Sequence, residues 1–255
     1  MPGRVHLVVD HALARVTLSH PGKFNAMSRA MWRELKAVFN NLQARTDLRG
    51  VVVAGEGGHF CAGGDIAEYP GFRFDADSLR DFHENDVWGG LNAMLACDLP
   101  LLAQIDGNCM GAGVEIASCC DIRVAGTGAR FGAPIARLGF PMAPREAQLV
   151  AREAGLATAR EMLLEAAVLS ADELKARGFL HAVLPDAEVA AEVQARAQRI
   201  ARLAPQAARL NKQTLRALGE GQATDALVGK SYQYADQAEH REGISAFMAK
   251  RQPVF

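Results

Sequence analysis

The sequence predicts an α/β fold, with a layered core followed by a helical C-terminal region. Short apolar strands alternate with helical patterns up to about residue 185, which is typical of a layered core. From Asp186 onward the chain is rich in Ala, Gln, Arg and Glu, and its apolar residues follow helical spacing. We therefore expect residues 1–185 to form the core and residues 186–255 to pack on it or on another subunit.

Local signals place the elements in order. Short apolar runs predict strands at residues 5–9, 14–18, 51–54, 101–105 and 121–125. Helical spacing predicts helices from the N-cap Ser28 to about Leu42, over 78–96 and 111–119, and in the tail over about 186–203, 205–218 and 223–249. Pro205 and the Gly219/Gly221 pair separate the tail helices.

Composition excludes several classes of protein. The net charge of −1 gives no basic field for nucleic acid. Because no run of about 18 apolar residues occurs, we expect no membrane span. The cysteines are odd in number and lack metal-ligand spacing, so we expect no disulfide framework, no metal site, and a reducing, cytoplasmic location. Small core positions are expected for all five: Cys61, Cys97, Cys109, Cys119 and Cys120.

Two glycine-rich segments carry the chemical signal: residues 60–66 follow a strand and turn, and residues 106–115 lead from a strand into a helix. Singly, each fits a tight turn as well as a ligand loop, and the dinucleotide-binding, P-loop and nucleophile-elbow patterns are incomplete or absent. Together, they would let two backbone N–H groups converge on one carbonyl oxygen. Glu115, one turn into the helix, would then lie where a general base belongs.

These segments resemble the crotonase (enoyl-CoA hydratase/isomerase) family. Residues 62–66 (AGGDI) are similar to its A-G-x-D-[IL] segment, and residues 111–115 (GAGVE) to its glycine-rich helix entry and first catalytic glutamate. The resemblance extends along nearly the whole chain, in order, through residues 21–27, 120–123, 131–134, 241–247 and 250–251. It implies a spiral of ββα units with a helical C-terminal trimerisation region, commonly a trimer or a dimer of trimers.

The resemblance also implies roles for individual residues. The N–H groups of Gly64 and Ala112 would form the oxyanion hole, with Glu115 as acid/base. Coenzyme A is part of the acyl-CoA substrate, so no separate cofactor is expected. Its path would be lined by Lys23, Ala26, Ala62, Asp65 and Ile66, with Asp65 holding its loop. Phe247 and Lys250 would either reach coenzyme A on a neighbouring subunit or have a plain packing or surface role. The acyl pocket would include Met110, Gly111, Pro134, Ile135 and Leu138.

Position 135 departs from the family pattern. Hydratases of the family carry a second glutamate where this chain has Ile135. The change argues against a standard isomerase, weakens efficient hydration, and should raise the pKa of Glu115 by desolvation. Hydration leads among the predicted reactions, beside isomerisation, hydratase-lyase cleavage, decarboxylation and thioester hydrolysis. Another class of function, binding of coenzyme A thioesters without turnover, stays open.

Several other residues could take the place of the second glutamate in proton transfer. His83, Glu84 and Asp86 belong to a segment that forms part of the pocket wall in relatives, although an exposed helix face is favoured for them. Tyr232 and Tyr234 are expected to pack at a helix interface rather than to act on substrate. For Glu146 we expect a solvated ion pair with Arg145.

Overall fold

The computed structural model describes residues 2–229 and 231–255. Its strands are β1 (Arg4–Asp10), β2 (Leu13–Ser19), β3 (Gly50–Gly55), β4 (Leu101–Ile105), β5 (Asn108–Met110), β6 (Ile122–Gly126), β7 (Arg130–Gly132), β8 (Val168–Ser170) and β9 (Ala182–Leu184). The core helices are α1 (Arg29–Gln43), α2 (Ala76–Asp81), α3 (Trp88–Ala96), α4 (Ala112–Ser118), α5 (Pro144–Ala154), α6 (Leu156–Leu164) and α7 (Ala171–Ala176). The tail contains α8 (Val189–Ala201), α9 (Pro205–Gly219), α10 (Thr224–Val228) and α11 (Ala238–Met248).

The strands form two sheets. The larger has the order β1-β2-β3-β4-β6-β9, in which β1 and β2 are antiparallel and all later pairs are parallel. The smaller has the order β5-β7-β8, with β5 and β7 parallel. The chain thus passes from a large-sheet strand to a small-sheet strand and then to a helix, as in β4-β5-α4 and β6-β7-α5. These are repeated ββα units, and they confirm the predicted layered α/β core.

The larger sheet buries residues on both faces. Because successive side chains of a strand point to opposite faces, Val51 and Val53 join the main core while Val52 faces the other way. The main core includes Trp32 and Phe39 of α1. On the opposite face, α8 covers Val52, and its buried residues are Val189, Val193 and Ala197. All five cysteines are buried free thiols, as expected for small core residues.

Helix α1 shows how local signals fix an element. The Ser28 hydroxyl accepts a hydrogen bond from the Met31 amide, so the predicted N-cap is confirmed. The strand predictions at 5–9, 14–18, 51–54, 101–105 and 121–125 are also confirmed within one or two residues. In the described part of the chain, no helix is long and apolar enough to cross a membrane.

Two predicted helices are interrupted. The helix predicted over 78–96 contains a π-helical turn, Phe82–Val87, between α2 and α3. The helix predicted over 223–249 is wrong as one element: α10 ends before Gly229, turns occupy residues 231–236, and α11 begins at Ala238. Ser, Tyr and Asp in these turns are weaker helix formers than Ala, and the Ser231 hydroxyl donates to the Leu227 carbonyl. Lys230, which that prediction includes, lies outside the described residues.

Candidate active site

The two glycine-rich segments run side by side in parallel register. Cys61 pairs with Cys109, the Cys61 amide donates to the Asn108 carbonyl, and the Met110 amide donates to the Cys61 carbonyl. Beyond this pair the two segments stay close, since a Cβ on Gly111 would lie 3.6 Å from Gly63 Cα. The two predicted oxyanion-hole residues that follow, Gly64 and Ala112, line one cavity.

Both amides are available to a ligand. Neither the Gly64 nor the Ala112 N–H donates a hydrogen bond within residues 2–229 and 231–255. Ala112 is the first residue of α4, where backbone N–H groups have no intrahelical acceptor and the helix dipole is positive. Gly63 has φ +113° and Gly111 has φ +47°, conformations that favour glycine, and each turns the chain just before its donor.

Glu115 lies in the first turn of the same helix. It is 9% exposed, and its amide donates to the Gly111 carbonyl at 3.1 Å, which ties the helix start to the glycine turn. Burial, and then the neighbouring Glu146 carboxylate, raise the pKa of Glu115 to about 8. At neutral pH its carboxyl group is therefore mostly protonated.

A cavity of about 220 Å³ opens over these groups. All predicted pocket residues line it: Met110, Gly111, Pro134, Ile135 and Leu138. Gly64, Ala112 and Glu115 line the same cavity. Since drug-sized ligand sites span roughly 300–1,000 Å³, this volume suits a short acyl group.

The cavity wall around Ile135 is apolar, and a second carboxylate lies elsewhere. Glu146, in the first turn of α5, is 2% exposed, so the predicted solvated ion pair with Arg145 is wrong. Arg145 instead bonds to Glu84 on the surface. Helical periodicity gives no sign of this, because the burial of Glu146 depends on the side of α5 that packs on the core.

Glu146 belongs to a chain of three polar side chains. Its Oε1 lies 3.2 Å from Nδ1 of His83, and Nε2 of His83 lies 3.2 Å from an Nη of Arg73. A guanidinium can only donate, so Nε2 accepts and the imidazole proton lies on Nδ1, which donates to Glu146. His83 and Arg73 both line the cavity. The exposed helix face favoured for His83 is therefore wrong.

The other two candidates of that segment, Glu84 and Asp86, do not line the cavity. Glu84 is exposed, as the favoured interpretation expects. Asp86 is buried, contrary to it, because the π-helical turn directs its carboxylate toward α1, where Arg29 and Arg33 bind it at 2.6 and 2.7 Å. Asp86 is thus part of a structural ion pair.

Sequence reasoning missed Tyr69. Its ring lies in the cavity wall, and a Cβ on Gly64 would overlap its hydroxyl. Burial raises the pKa of Tyr69 to about 12, so the phenol stays protonated. Tyr69 follows Gly64 by five residues, in a 3-10 segment (Ile66–Gly71) that carries no recognisable local motif.

The residues predicted to line the coenzyme A path surround the oxyanion loop. Lys23 Nζ lies 2.6 Å from the buried Asp65 carboxylate, which also accepts from the Ala67 amide and so caps the 3-10 segment. Ala62 and the exposed Ile66 line the cavity, whereas Ala26 is buried and is not part of the lining. These contacts fit the expected loop-holding part of Asp65.

The predicted tail residues do not reach this cavity within the chain. Phe247 and Lys250 are exposed and are absent from the cavity lining. Tyr232 and Tyr234 line a separate groove between α9 and α11, where Tyr234 packs against His240. Contact of any of these side chains with ligand would therefore require a neighbouring subunit.

The arrangement defines a class of protein. Two free amides beside a buried carboxyl group can stabilise negative charge on a carbonyl oxygen and exchange protons next to it. A family model described as "Enoyl-CoA hydratase/isomerase" matches residues 9–255. The chain belongs to the enoyl-CoA hydratase/isomerase family, within the crotonase superfamily, as its motifs predict.

Individual relatives agree with this assignment. A probable enoyl-CoA hydratase of Rhodobacter capsulatus is 32% identical over 97% of this chain and 95% of its own length. The 2,3-dehydroadipyl-CoA hydratase of Escherichia coli is 30% identical over 94% of this chain and 93% of its own length. The crystal structure of an enoyl-CoA hydratase/carnithine racemase from Magnetospirillum magneticum superposes with a TM-score of 0.94, at 36% identity, covering 98% of this chain and 94% of its own. The crotonase fold is thereby confirmed.

Proposed function

We propose that this protein is an acyl-CoA-processing enzyme of the enoyl-CoA hydratase type, with Glu115 as its acid/base. The observation that carries the proposal is that Gly64 and Ala112, whose amides donate no hydrogen bond within the described residues, line one cavity with Glu115, which lies in the first turn of the helix that Ala112 begins. Family membership supports acyl-CoA as the substrate class.

In the proposed step, the Gly64 and Ala112 amides donate to the thioester oxygen. Water oxygen forms a bond to the β-carbon, and the C=C electron pair moves toward the thioester, where the two amides stabilise the enolate charge. Such a donor typically contributes about 10²–10³-fold in rate. The α-carbon then takes a proton, which gives the 3-hydroxyacyl thioester.

One carboxyl group can complete this proton balance. One oxygen of neutral Glu115 gives its proton to the α-carbon, and the other accepts the proton that water loses, so Glu115 ends as it began. The pKa of about 8 keeps this neutral form populated at pH 7. The apolar Ile135 contributes to the dry surroundings in which a carboxyl group stays neutral.

An activity screen tests the proposal. Crotonyl-, 3-enoyl-, aryl-enoyl- and β-ketoacyl-CoA separate hydration from isomerisation, lyase and decarboxylation or hydrolysis chemistry. We expect hydration of a 2-enoyl-CoA, and a loss of about 10²–10⁴-fold in kcat for Glu115→Gln, because the amide cannot exchange protons. The matched control is Glu84→Gln, a surface carboxylate on the neighbouring segment.

Each outcome has a clear meaning. Turnover of another substrate class that depends on Glu115 would replace hydration by that reaction. Binding of every thioester without turnover would make the protein a non-catalytic coenzyme A thioester-binding protein. Unchanged hydration in Glu115→Gln would overturn the proposed mechanism.

The proposal includes an assembly of three or six subunits in the cytoplasm. Exposed apolar residues on the tail support it, among them Phe247, Met248 and Ile244. In such an assembly, Phe247 and Lys250 would contact coenzyme A bound to a neighbouring subunit.

A further inference from the structure

A guanidinium group lies in the acyl cavity with most of its donors unused. Arg73 lines the cavity with Glu115 and Ile135 and is half-buried. Its central carbon lies 3.6 Å from the ring centroid of Phe140 and 4.5 Å from that of Tyr69. Stacking occupies the faces of the guanidinium and leaves its in-plane N–H groups free to bond.

Within residues 2–229 and 231–255, no carboxylate forms an ion pair with Arg73, and its side chain makes a hydrogen bond only to His83. Burial lowers the pKa of Arg73, because desolvation disfavours the charged guanidinium. An arginine has five N–H donors. A partly desolvated cation of this kind is stabilised by an anionic acceptor on a ligand.

Hydrogen bonds through His83 to Glu146 hold Arg73 in position. The buried Glu146 carboxylate accepts from Nδ1 of His83, and this bond fixes the tautomer in which Nε2 accepts from Arg73. The two partly buried hydrogen bonds and the two aromatic rings hold the guanidinium in one orientation, as a preorganised binding group requires. Glu146 and His83 are thus positioning residues for Arg73.

We infer that Arg73 binds an anionic group, a carboxylate, at the far end of the acyl chain, so that the substrate is a short dicarboxylic acyl-CoA. The inference rests on the proposed function for the thioester end of the substrate. The cavity of about 220 Å³ limits the chain between thioester and carboxylate to a few carbons. A bidentate Arg–carboxylate pair matches the free in-plane edge of the guanidinium.

Two matched six-carbon substrates test this inference. One is a trans-2-enoyl-CoA that ends in a carboxylate, and the other ends in a methyl group. We expect the wild-type kcat/KM to favour the carboxylate by roughly 10- to 100-fold, the usual range for hydrogen bonds to a charged group. Arg73→Met should bring the ratio close to one, mainly through KM, and Arg73→Lys should retain part of the preference.

Binding measurements separate this inference from the proposed function. The saturated acyl-CoA analogues with the same two chain ends are not turned over, so their Kd values report recognition alone. If Arg73→Met removes the preference in Kd although no thioester reacts, the inference stands and the proposed function fails. If Glu115-dependent hydration occurs but the ratio in Arg73→Met equals that of wild type, the inference is overturned.

Two controls complete the design. Arg145→Met removes an exposed arginine that is not part of the cavity lining, and it should leave the ratio unchanged. Free coenzyme A should bind wild type and Arg73→Met equally. If Arg73→Met weakened binding of free coenzyme A as much as it weakens binding of the carboxylate-ended acyl-CoA, the inference would be overturned, because Arg73 would then bind the nucleotide phosphates.

Discussion

Glu115 and Glu146 are carboxyl groups from neighbouring helices that influence each other inside the protein. Burial accounts for most of the raised pKa of Glu115, and the Glu146 charge adds to it. Glu146 is held in place through His83, whereas the Glu115 side chain makes no hydrogen bond within the described residues. A carboxyl group left in dry surroundings, as Glu115 is, stays protonated at neutral pH.

The raised pKa of Glu115 predicts the pH dependence of the proposed reaction. Because the proposed mechanism uses neutral Glu115, kcat/KM should be constant near pH 7 and fall as pH rises through about 8. Replacing Glu146 with Gln removes a negative charge that raises the pKa of Glu115, so the alkaline limb should move to lower pH. The pH–rate profile of hydration measures both effects.

Glu84→Gln serves as the control, since Glu84 is exposed and pairs with Arg145. Its alkaline limb should coincide with that of wild type. A kcat/KM that rises with pH above 7 would contradict the assignment of Glu115 as the titrating acid. An alkaline fall in kcat/KM that occurs at the same pH in Glu146→Gln as in wild type would also contradict it.

At the scale of elements, the proposed oxyanion hole depends on contact between the 60–66 loop and the 3-10 segment that follows it. The Tyr69 hydroxyl occupies the space where a Gly64 side chain would be. Asp65 caps the same segment, so the donor at position 64 and the wall at position 69 are set by one short stretch of chain. Gly64 is therefore required for packing as well as for access to its N–H.

A rescue experiment follows from this contact. Gly64→Ala should lower kcat by at least about tenfold, because the methyl group displaces Tyr69 and shifts the oxyanion donor. Adding Tyr69→Phe removes the overlapping hydroxyl and should restore part of the lost rate. Gly71→Ala is the control, since a Cβ there meets nothing within 4 Å. If the double variant is no faster than Gly64→Ala, this contact does not set the hole.

The sequence predicts best what local chemistry determines. Adjacent residues are enough to identify the glycine segments, the Ser28 cap and the helical position of Glu115, and the structure places each as expected. Arg73 and Glu146 have no such local signal. Each depends on how the π-helical turn and α5 pack around the cavity, which is set by contacts distant in sequence.

In the tail, too, local sequence signals fail to predict a structure that depends on distant contacts, here over a longer stretch of chain. Helical spacing suggests a single helix over 223–249, since an apolar pattern continues through the region. The structure instead has turns at 231–236 between α10 and α11. Helix propensity is a weak preference that tertiary packing overrides, and polar and aromatic residues lower it here.

At the scale of the whole molecule, α9 is joined to the core mainly by polar contacts. Lys212 pairs with Asp121 at 2.8 Å and Arg216 with Asp98 at 2.9 Å. Helix α9 has no fully buried residue, although its apolar residues follow a helical stripe. Large apolar side chains left exposed on the tail are Leu203, Leu215, Leu218, Val228, Tyr232, Tyr234, Ile244, Phe247, Met248 and Val254. This concentration of apolar surface is typical of a protein–protein interface.

The apolar tail surface predicts the oligomeric state. We expect light scattering during size-exclusion chromatography to give three or six times the chain mass of 27.3 kDa. The double variant Phe247→Asp/Met248→Asp places two charges on α11, where burial at an interface would be unfavourable, so its mass should fall and its Kd for coenzyme A should rise. Val8→Asp, which adds a charge at an exposed apolar position of β1, should leave the assembly intact. A wild-type mass of one chain would contradict the tail as an oligomerisation surface, and a variant that stays assembled would place the interface elsewhere.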